Sequence, residues 1–113
     1  MHEMALTESI VDIICEEASK QGFGKVRVVR LRVGAMAHVE PEALRFCFDA
    51  VSRGTVAEGA TLDILRAPGE GWCFDCARTV AMGERFGACP ECGGRRVQMT
   101  SGDELRIEEL EVD

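Results

Sequence analysis

Four of the six cysteines in this 113-residue chain form two short pairs whose spacing is typical of a metal site. Cys73 and Cys76 make one Cys-x-x-Cys pair, and Cys89 and Cys92 make the second after a gap of twelve residues. A turn of this kind brings two thiolates of one segment to the same ion, and a second turn completes a tetrahedron. The four cysteines are therefore predicted to bind one structural Zn²⁺.

Two other interpretations of the paired cysteines are weaker. A redox dithiol needs a pair that opens a helix in a thioredoxin-like setting, whereas both pairs here lie in glycine-rich stretches. A catalytic zinc needs an open coordination position, which four cysteines do not leave. The other two cysteines, Cys15 and Cys47, have apolar neighbours in predicted helices, and we expect them to be small buried side chains.

The N-terminus offers a second set of metal ligands. His2 follows Met1 directly, so its imidazole is close to a free amine and to backbone amides that a metal can deprotonate. The Met1 amine, the amide nitrogens of His2 and Glu3 and the His2 imidazole can form a square plane. That geometry suits Ni(II) or Cu(II), whereas zinc prefers a tetrahedron. An early histidine is weak evidence by itself, because any chain can carry one.

The elements that must position these ligands follow from hydrophobic periodicity. Residues 4–21 have apolar side chains at helical spacing, and Gly22 and Gly24 end that helix. A second helix is predicted to begin at Pro41 and to reach Val51. Strands are predicted at 25–33, 61–67 and 105–112; the first and last both shift their alternation midway, so we expect them to pair.

The segment from Pro68 to Gly102 has a different composition. It holds the four paired cysteines and seven glycines but few aliphatic residues, so it needs a metal to stabilise it. We interpret it as an inserted zinc ribbon with short strands at 79–82 and 96–99. The predicted fold class is α+β: a two-helix, three-stranded-sheet domain with an inserted four-cysteine zinc-ribbon domain.

Composition excludes several classes of partner. Twenty acidic residues against 13 basic ones give a net charge of −7, and a single Trp with no Tyr offers little surface for stacking bases, so nucleic acid is not expected. No apolar run reaches the roughly 20 residues that span a bilayer, so no membrane association is expected. The N-terminus lacks the features of a signal peptide, which predicts a cytoplasmic protein.

Several segments, in order along almost the whole chain, resemble the hydrogenase nickel-incorporation family, HypA/HybF. The segments that carry the resemblance are Met1-His2-Glu3, Val33-Gly34-Ala35-Met36, residues 39–46, residues 54–60, the four-cysteine module and residues 101–107.

The resemblance implies a nickel metallochaperone and not an enzyme. It implies that residues 1–67 and 103–113 form the nickel-binding domain and that residues 68–102 form the zinc domain. Nickel, the transient cargo, is then bound by His2 with contributions from Met1 and Glu3. The implied partners are a nickel-handling maturation GTPase and the [NiFe] hydrogenase large subunit, with urease maturation factors in some organisms. The sequence leaves a homodimer open.

The chain departs from its relatives in two respects. Met36-Ala37 stands where relatives more often have Leu-Ser, a change that we expect to be tolerated. Some relatives have a nickel-binding histidine in the zinc domain, but this chain has no histidine after His38. His38 is interpreted as a solvated loop residue, with a role as an additional nickel ligand left open.

Overall fold

The computed structural model describes residues 3–113 as two helices and two three-stranded sheets. The helices are α1 (Glu3–Gln21) and α2 (Pro41–Val51). The strands are β1 (Val26–Gly34), β2 (Thr61–Ala67), β3 (Gly69–Cys73), β4 (Arg78–Met82), β5 (Val97–Ser101) and β6 (Leu105–Val112). The first sheet has the order β2-β1-β6, and the second has the order β4-β3-β5.

The two helices begin and end where local chemistry dictates. α1 ends before Gly22, which adopts a φ of 78° and donates its N–H to the Ala18 carbonyl. α2 begins at Pro41, whose missing N–H costs nothing in the first turn, and the preceding Glu40 side chain accepts from the Glu42 N–H. Among residues 3–113, no helix combines the length and the apolar character needed to cross a bilayer.

The first sheet joins β1 to both neighbours. The Gly34 N–H donates to the Glu104 carbonyl and the Asp113 N–H donates to the Lys25 carbonyl, so β6 runs antiparallel to β1. This confirms the predicted pairing of the first and last strands. The burial of β1 changes phase as predicted: Val26 is buried, and burial then alternates from Val29 through Leu31 to Val33.

The chain divides into two compact units. The first contains the chain up to Leu31, Val39–Ile64 and Ile107–Asp113, and its core includes Ile10 and Ile14 of α1, Val29 of β1 and Leu44 of α2. The second contains Arg32–His38 and Leu65–Arg106. The sequence analysis predicted two domains, residues 1–67 with 103–113 and residues 68–102. A division into compact units does not test whether these parts fold separately, so the predicted boundaries stay a prediction.

The structure corrects the sequence analysis in three details. The ribbon sheet has a third strand, β3, that periodicity did not predict, because Gly69 and Gly71 occupy its inward positions where apolar side chains were expected. A Cβ on Gly71 would lie 2.8 Å from Val97 Cγ1, so no side chain fits there. The two ribbon strands that were predicted, at 79–82 and 96–99, correspond to β4 and β5, whose observed ends differ from the predicted ones by at most two residues. Cys15 and Cys47 are half-buried rather than buried.

Candidate metal centre

The four paired cysteines meet at one point in the second unit. Cys73 ends β3 and Cys76 lies in the turn before β4, whereas Cys89 and Cys92 lie in the connection between β4 and β5. Their sulfur atoms all lie within 4.8 Å of one another, with 3.7 Å between Cys73 and Cys92 and 3.9 Å between Cys76 and Cys89. Sulfurs at about 2.3 Å from a tetrahedral zinc stand about 3.8 Å apart. The separations therefore fit a four-thiolate zinc site.

Both cysteine pairs are held by the same kind of turn. Backbone N–H groups of Cys76, Glu91 and Gly94 each donate to a cysteine sulfur at 3.4 Å, the acceptors being Cys73, Cys89 and Cys92. These bonds favour the charged form of the sulfur that accepts them and fix its direction. The turns therefore aim the thiolates before any ion arrives.

Each turn continues through a residue in the left-handed region. Gly93 follows Cys92 with φ 72°, and Ala77 follows Cys76 with φ 54°. Their N–H groups donate to the carbonyls of Cys89 and Cys73. A left-handed alanine costs about 1 kcal/mol or more, and the surrounding turn must supply that energy. Gly94 is closely packed as well, since a Cβ there would lie 3.1 Å from Asp75 Oδ2 and 3.3 Å from Cys92 Sγ.

The thiols have unequal surroundings. Backbone N–H donors of Cys92 and Glu91 lower the pKa of the Cys89 thiol to about 7. The adjacent Cys92 sulfur and burial raise the pKa of the Cys76 thiol to about 12. Four thiolates this close repel one another, and a divalent cation among them removes that repulsion. Cys73 and Cys89 are buried and Cys92 is exposed, so the centre meets solvent on the Cys92 side.

Two ion pairs brace the turns, and the sequence analysis did not identify them. Asp75 and Glu91 occupy the same position in their respective pairs, immediately before the second cysteine. Asp75 binds Arg96 at 3.1 Å, and Glu91 binds Arg78. All four side chains are largely exposed, so each pair adds little stability. The matching acidic residues were the signal available in the sequence.

The predicted nickel ligands stand apart from this cluster. Met1 and His2 lie outside the described residues. Glu3 is the first residue of α1, and its carbonyl accepts a hydrogen bond of 3.0 Å from the buried Thr7 hydroxyl. His38 is exposed in the loop between β1 and α2, with φ 55°, and is not part of the cysteine group.

A family model and curated relatives of this chain point to the same protein family. The family described as hydrogenase/urease nickel incorporation, metallochaperone, hypA, matches residues 1–112. A hydrogenase maturation factor HypA from Methylocella silvestris is 62% identical over 113 residues, covering 100% of both chains. A second, from Rhizobium leguminosarum bv. viciae, is 60% identical over 112 residues and covers 99% of each chain.

A solved structure agrees with the family in fold. The solution structure of the Ni metallochaperone HypA from Helicobacter pylori has a TM-score of 0.72 and 26% identity, and the match covers 99% of this chain and 97% of that one. The α+β prediction is confirmed. The matched family is one of metallochaperones, which confirms the expectation that the protein is not an enzyme. This chain belongs to the HypA family of hydrogenase/urease nickel-incorporation metallochaperones.

Proposed function

We propose that this protein binds Ni(II) through Met1, His2 and Glu3 and delivers it during the maturation of [NiFe] hydrogenase. The observation that carries the proposal is the family match, which begins at residue 1 and so includes the terminal ligands. In the same proposal, Cys73, Cys76, Cys89 and Cys92 hold a structural Zn²⁺. Bound zinc would crosslink the two turns, and four thiolates leave it no position for substrate.

The start of α1 supports the nickel site chemically. The first N–H groups of a helix have no intrahelical acceptor, so the Glu3 amide can lose its proton without breaking the helix. A helix N-terminus disfavours a bare cation. Two deprotonated amides cancel the charge of Ni(II), however, and a neutral square-planar complex avoids that repulsion.

Delivery requires a site that releases its metal on a signal. A nitrogen site of this kind binds Cu(II) more tightly than Ni(II), so selectivity must come from supply and from contact with partners. Our hypothesis is that a nickel-handling GTPase docks on α1, disturbs the terminal plane and frees the ion for the hydrogenase large subunit. Urease maturation factors are further candidate partners, and the cytoplasm is the expected location. A nickel off-rate that partner binding leaves unchanged would refute the docking step.

The test is nickel titration of untagged, zinc-loaded protein, with His2→Ala as the variant and His38→Ala as its matched control. These are the two histidines of the chain. The wild type and His38→Ala should show the absorption band of square-planar Ni(II). His2→Ala should lose the band and weaken binding by at least about 100-fold, because the chelate loses its imidazole.

Two results would contradict the proposal. If His2→Ala binds nickel as well as the wild type, the terminal site is wrong. If His38→Ala loses the band instead, the ligand set centres on the loop after β1. Metal analysis of the same samples should give one zinc per chain in all three proteins.

A further inference from the structure

One cysteine of the candidate metal centre is open to solvent. Cys92 is exposed, whereas Cys76 is half-buried and Cys73 and Cys89 are buried. The chain continues after Cys92 with two glycines, and a Cβ on Gly93 would meet no heavy atom within 4 Å, so the space beside this turn is empty. A dissolved oxidant therefore reaches the Cys92 sulfur before it reaches the other three.

The charge of the sulfurs does not separate the four cysteines from one another. In the zinc-loaded protein proposed above, all four are thiolates, because zinc displaces their protons. The thiolate is the form of cysteine that attacks a peroxide. Cys15 and Cys47 lie outside the cluster, so zinc does not ionise them. Within the cluster, exposure decides which sulfur reacts first, and that sulfur belongs to Cys92.

A partner sulfur for Cys92 lies in the other turn. The sulfur atoms of Cys73 and Cys92 are 3.7 Å apart, and those of Cys76 and Cys89 are 3.9 Å apart. The two sulfurs of a disulfide are about 2.0 Å apart, so each pair must approach by less than about 2 Å. Each of these pairs joins one Cys-x-x-Cys turn to the other. The buried Cys73 is therefore placed to react with an oxidised Cys92.

We propose that Cys92 is an oxidation site, at which a peroxide starts the conversion of the four thiolates into two disulfides that cross between the turns. The first disulfide joins Cys73 to Cys92, the second joins Cys76 to Cys89, and zinc is lost. This inference rests on the zinc site proposed above. It differs from the chemistry of a dithiol enzyme, in which the two cysteines of one Cys-x-x-Cys pair react with each other.

Each disulfide consumes one peroxide. The Cys92 thiolate attacks a peroxide oxygen, so that an S–O bond forms, the O–O bond breaks, and the hydroxide that leaves takes a proton from solvent. The Cys73 thiolate then attacks the Cys92 sulfur, the S–S bond forms, the S–O bond breaks, and a second hydroxide leaves and is protonated. Two electrons pass from the sulfurs to hydrogen peroxide, which becomes two waters. Cys76 and Cys89 react in the same way with a second peroxide.

The crossed pairing determines what happens to the ribbon. Disulfide sulfurs are neutral, and metal binding requires thiolates, so the oxidised centre no longer holds the cation. The two crossed disulfides nevertheless keep the turns joined, as the ion did. Disulfides within each Cys-x-x-Cys pair would leave the two turns unconnected. Oxidation thus exchanges a metal crosslink for a covalent one that a reductant can open again.

The test is treatment of the zinc-loaded full chain with hydrogen peroxide in the presence of a chromogenic chelator. At each time the free thiols are alkylated, and the chain is digested with trypsin and analysed by mass spectrometry. Arginines place Cys73 and Cys76 on one peptide, 67–78, and Cys89 and Cys92 on another, 86–95. Crossed disulfides therefore link the two peptides, whereas disulfides within the pairs leave them separate.

We expect linked peptides that form at the rate of zinc release. At early times the alkylating label should be on Cys76 and Cys89, which identifies Cys73–Cys92 as the first disulfide. Cys15 and Cys47 should remain labelled throughout. Dithiothreitol with added zinc should restore the zinc-loaded protein, because the disulfides are reversible.

Substitution separates the roles of the cysteines. Cys92→Ser should slow the peroxide-dependent release of zinc at least about tenfold, because the accessible thiolate is missing. Cys47→Ser is the matched control, since Cys47 is a half-buried cysteine outside the cluster, and it should release zinc like the wild type. Zinc content is measured before peroxide is added, because Cys92→Ser also removes a ligand; the disulfide map of the wild type does not depend on this variant.

Three results would overturn this inference and leave the zinc site standing. They are retention of zinc in excess peroxide, disulfides confined to the separate peptides, and a first disulfide that lacks Cys92. A protein that contains no zinc before oxidation would refute the proposed zinc site and this inference with it. None of these results depends on nickel binding at the N-terminus.

Discussion

The four clustered cysteines differ from one another chiefly in their hydrogen bonds and exposure. Backbone donors favour the thiolate of Cys89, whereas Cys76 is surrounded by other sulfurs and favours its protonated form. A zinc ion that binds all four must displace the proton of Cys76. Protons and zinc therefore compete for the same sulfurs, and occupancy of the centre must depend on pH.

Acidification is predicted to release zinc. The pKa of Cys89 is lowered from 9.0 to about 7, so the stability contributed by its thiolate is present above pH 9 and is lost as the pH falls through about 7. The raised pKa of Cys76 adds a proton that zinc must displace throughout this range. Transfer of zinc to a chromogenic chelator should be at least about tenfold faster at pH 5.5 than at pH 8. A rate that does not depend on pH would contradict thiolate ligation.

Strand ends that pack backbone against backbone make glycine obligatory at particular positions. Gly34 ends β1, and a Cβ there would meet the Gly102 carbonyl and lie 2.5 Å from Glu104 Oε1. Gly24 precedes β1 and has no heavy atom within 4 Å of its Cβ position. The two glycines are close in sequence, yet only one of them is required by packing.

Gly34→Ala is predicted to lower the free energy of unfolding by about 2–4 kcal/mol, because backbone must shift to admit the methyl group. Gly24→Ala is the matched control and should change it by less than about 0.5 kcal/mol. Urea denaturation followed by far-ultraviolet circular dichroism measures both. Equal effects of the two substitutions would show that packing at the end of β1 is not as tight as described.

The two units of the molecule are stabilised by different means. The first has a core of aliphatic side chains in which both helices take part. In the second, the cluster around the metal centre has Cys73, Val80 and Cys89 as its buried members, with Cys76 and Val97 packed against them. So small a cluster contributes little against the entropy of ordering the turns around it, and a metal bound by the four cysteines, as proposed, would crosslink those turns.

Removal of zinc is therefore predicted to unfold the ribbon while the helices persist. After treatment with a strong chelator, amides of β3, β4 and β5 should lose their protection from hydrogen exchange, and those of α1 should retain it. Hydrogen exchange read by mass spectrometry on the same samples separates the two regions. Loss of protection in α1 to the same extent would mean that the chain unfolds as one cooperative body.

The amino-acid sequence by itself determined the features that local spacing encodes. The clustering of the four cysteines was predictable from two Cys-x-x-Cys pairs, and α2 was predictable from Pro41 and the apolar periodicity after it. The paired strands β1 and β6 were predictable because both carry a shift in alternation. Met1 and His2, which the resemblance implies as nickel ligands, lie outside the described residues, so their role stays a prediction.

Only the tertiary structure decided the features that depend on distant partners. β3 has glycine at its inward positions, so its identity as a strand comes from pairing with β4 and β5 and not from its own pattern. The pairing of Asp75 with Arg96 likewise joins two separate segments of the chain. The exposure of Trp72 depends on which segments pack around it. Hydrophobic periodicity reports which side of an element is buried, but it does not report which strands meet. The register of the ribbon strands therefore became visible only in the folded chain.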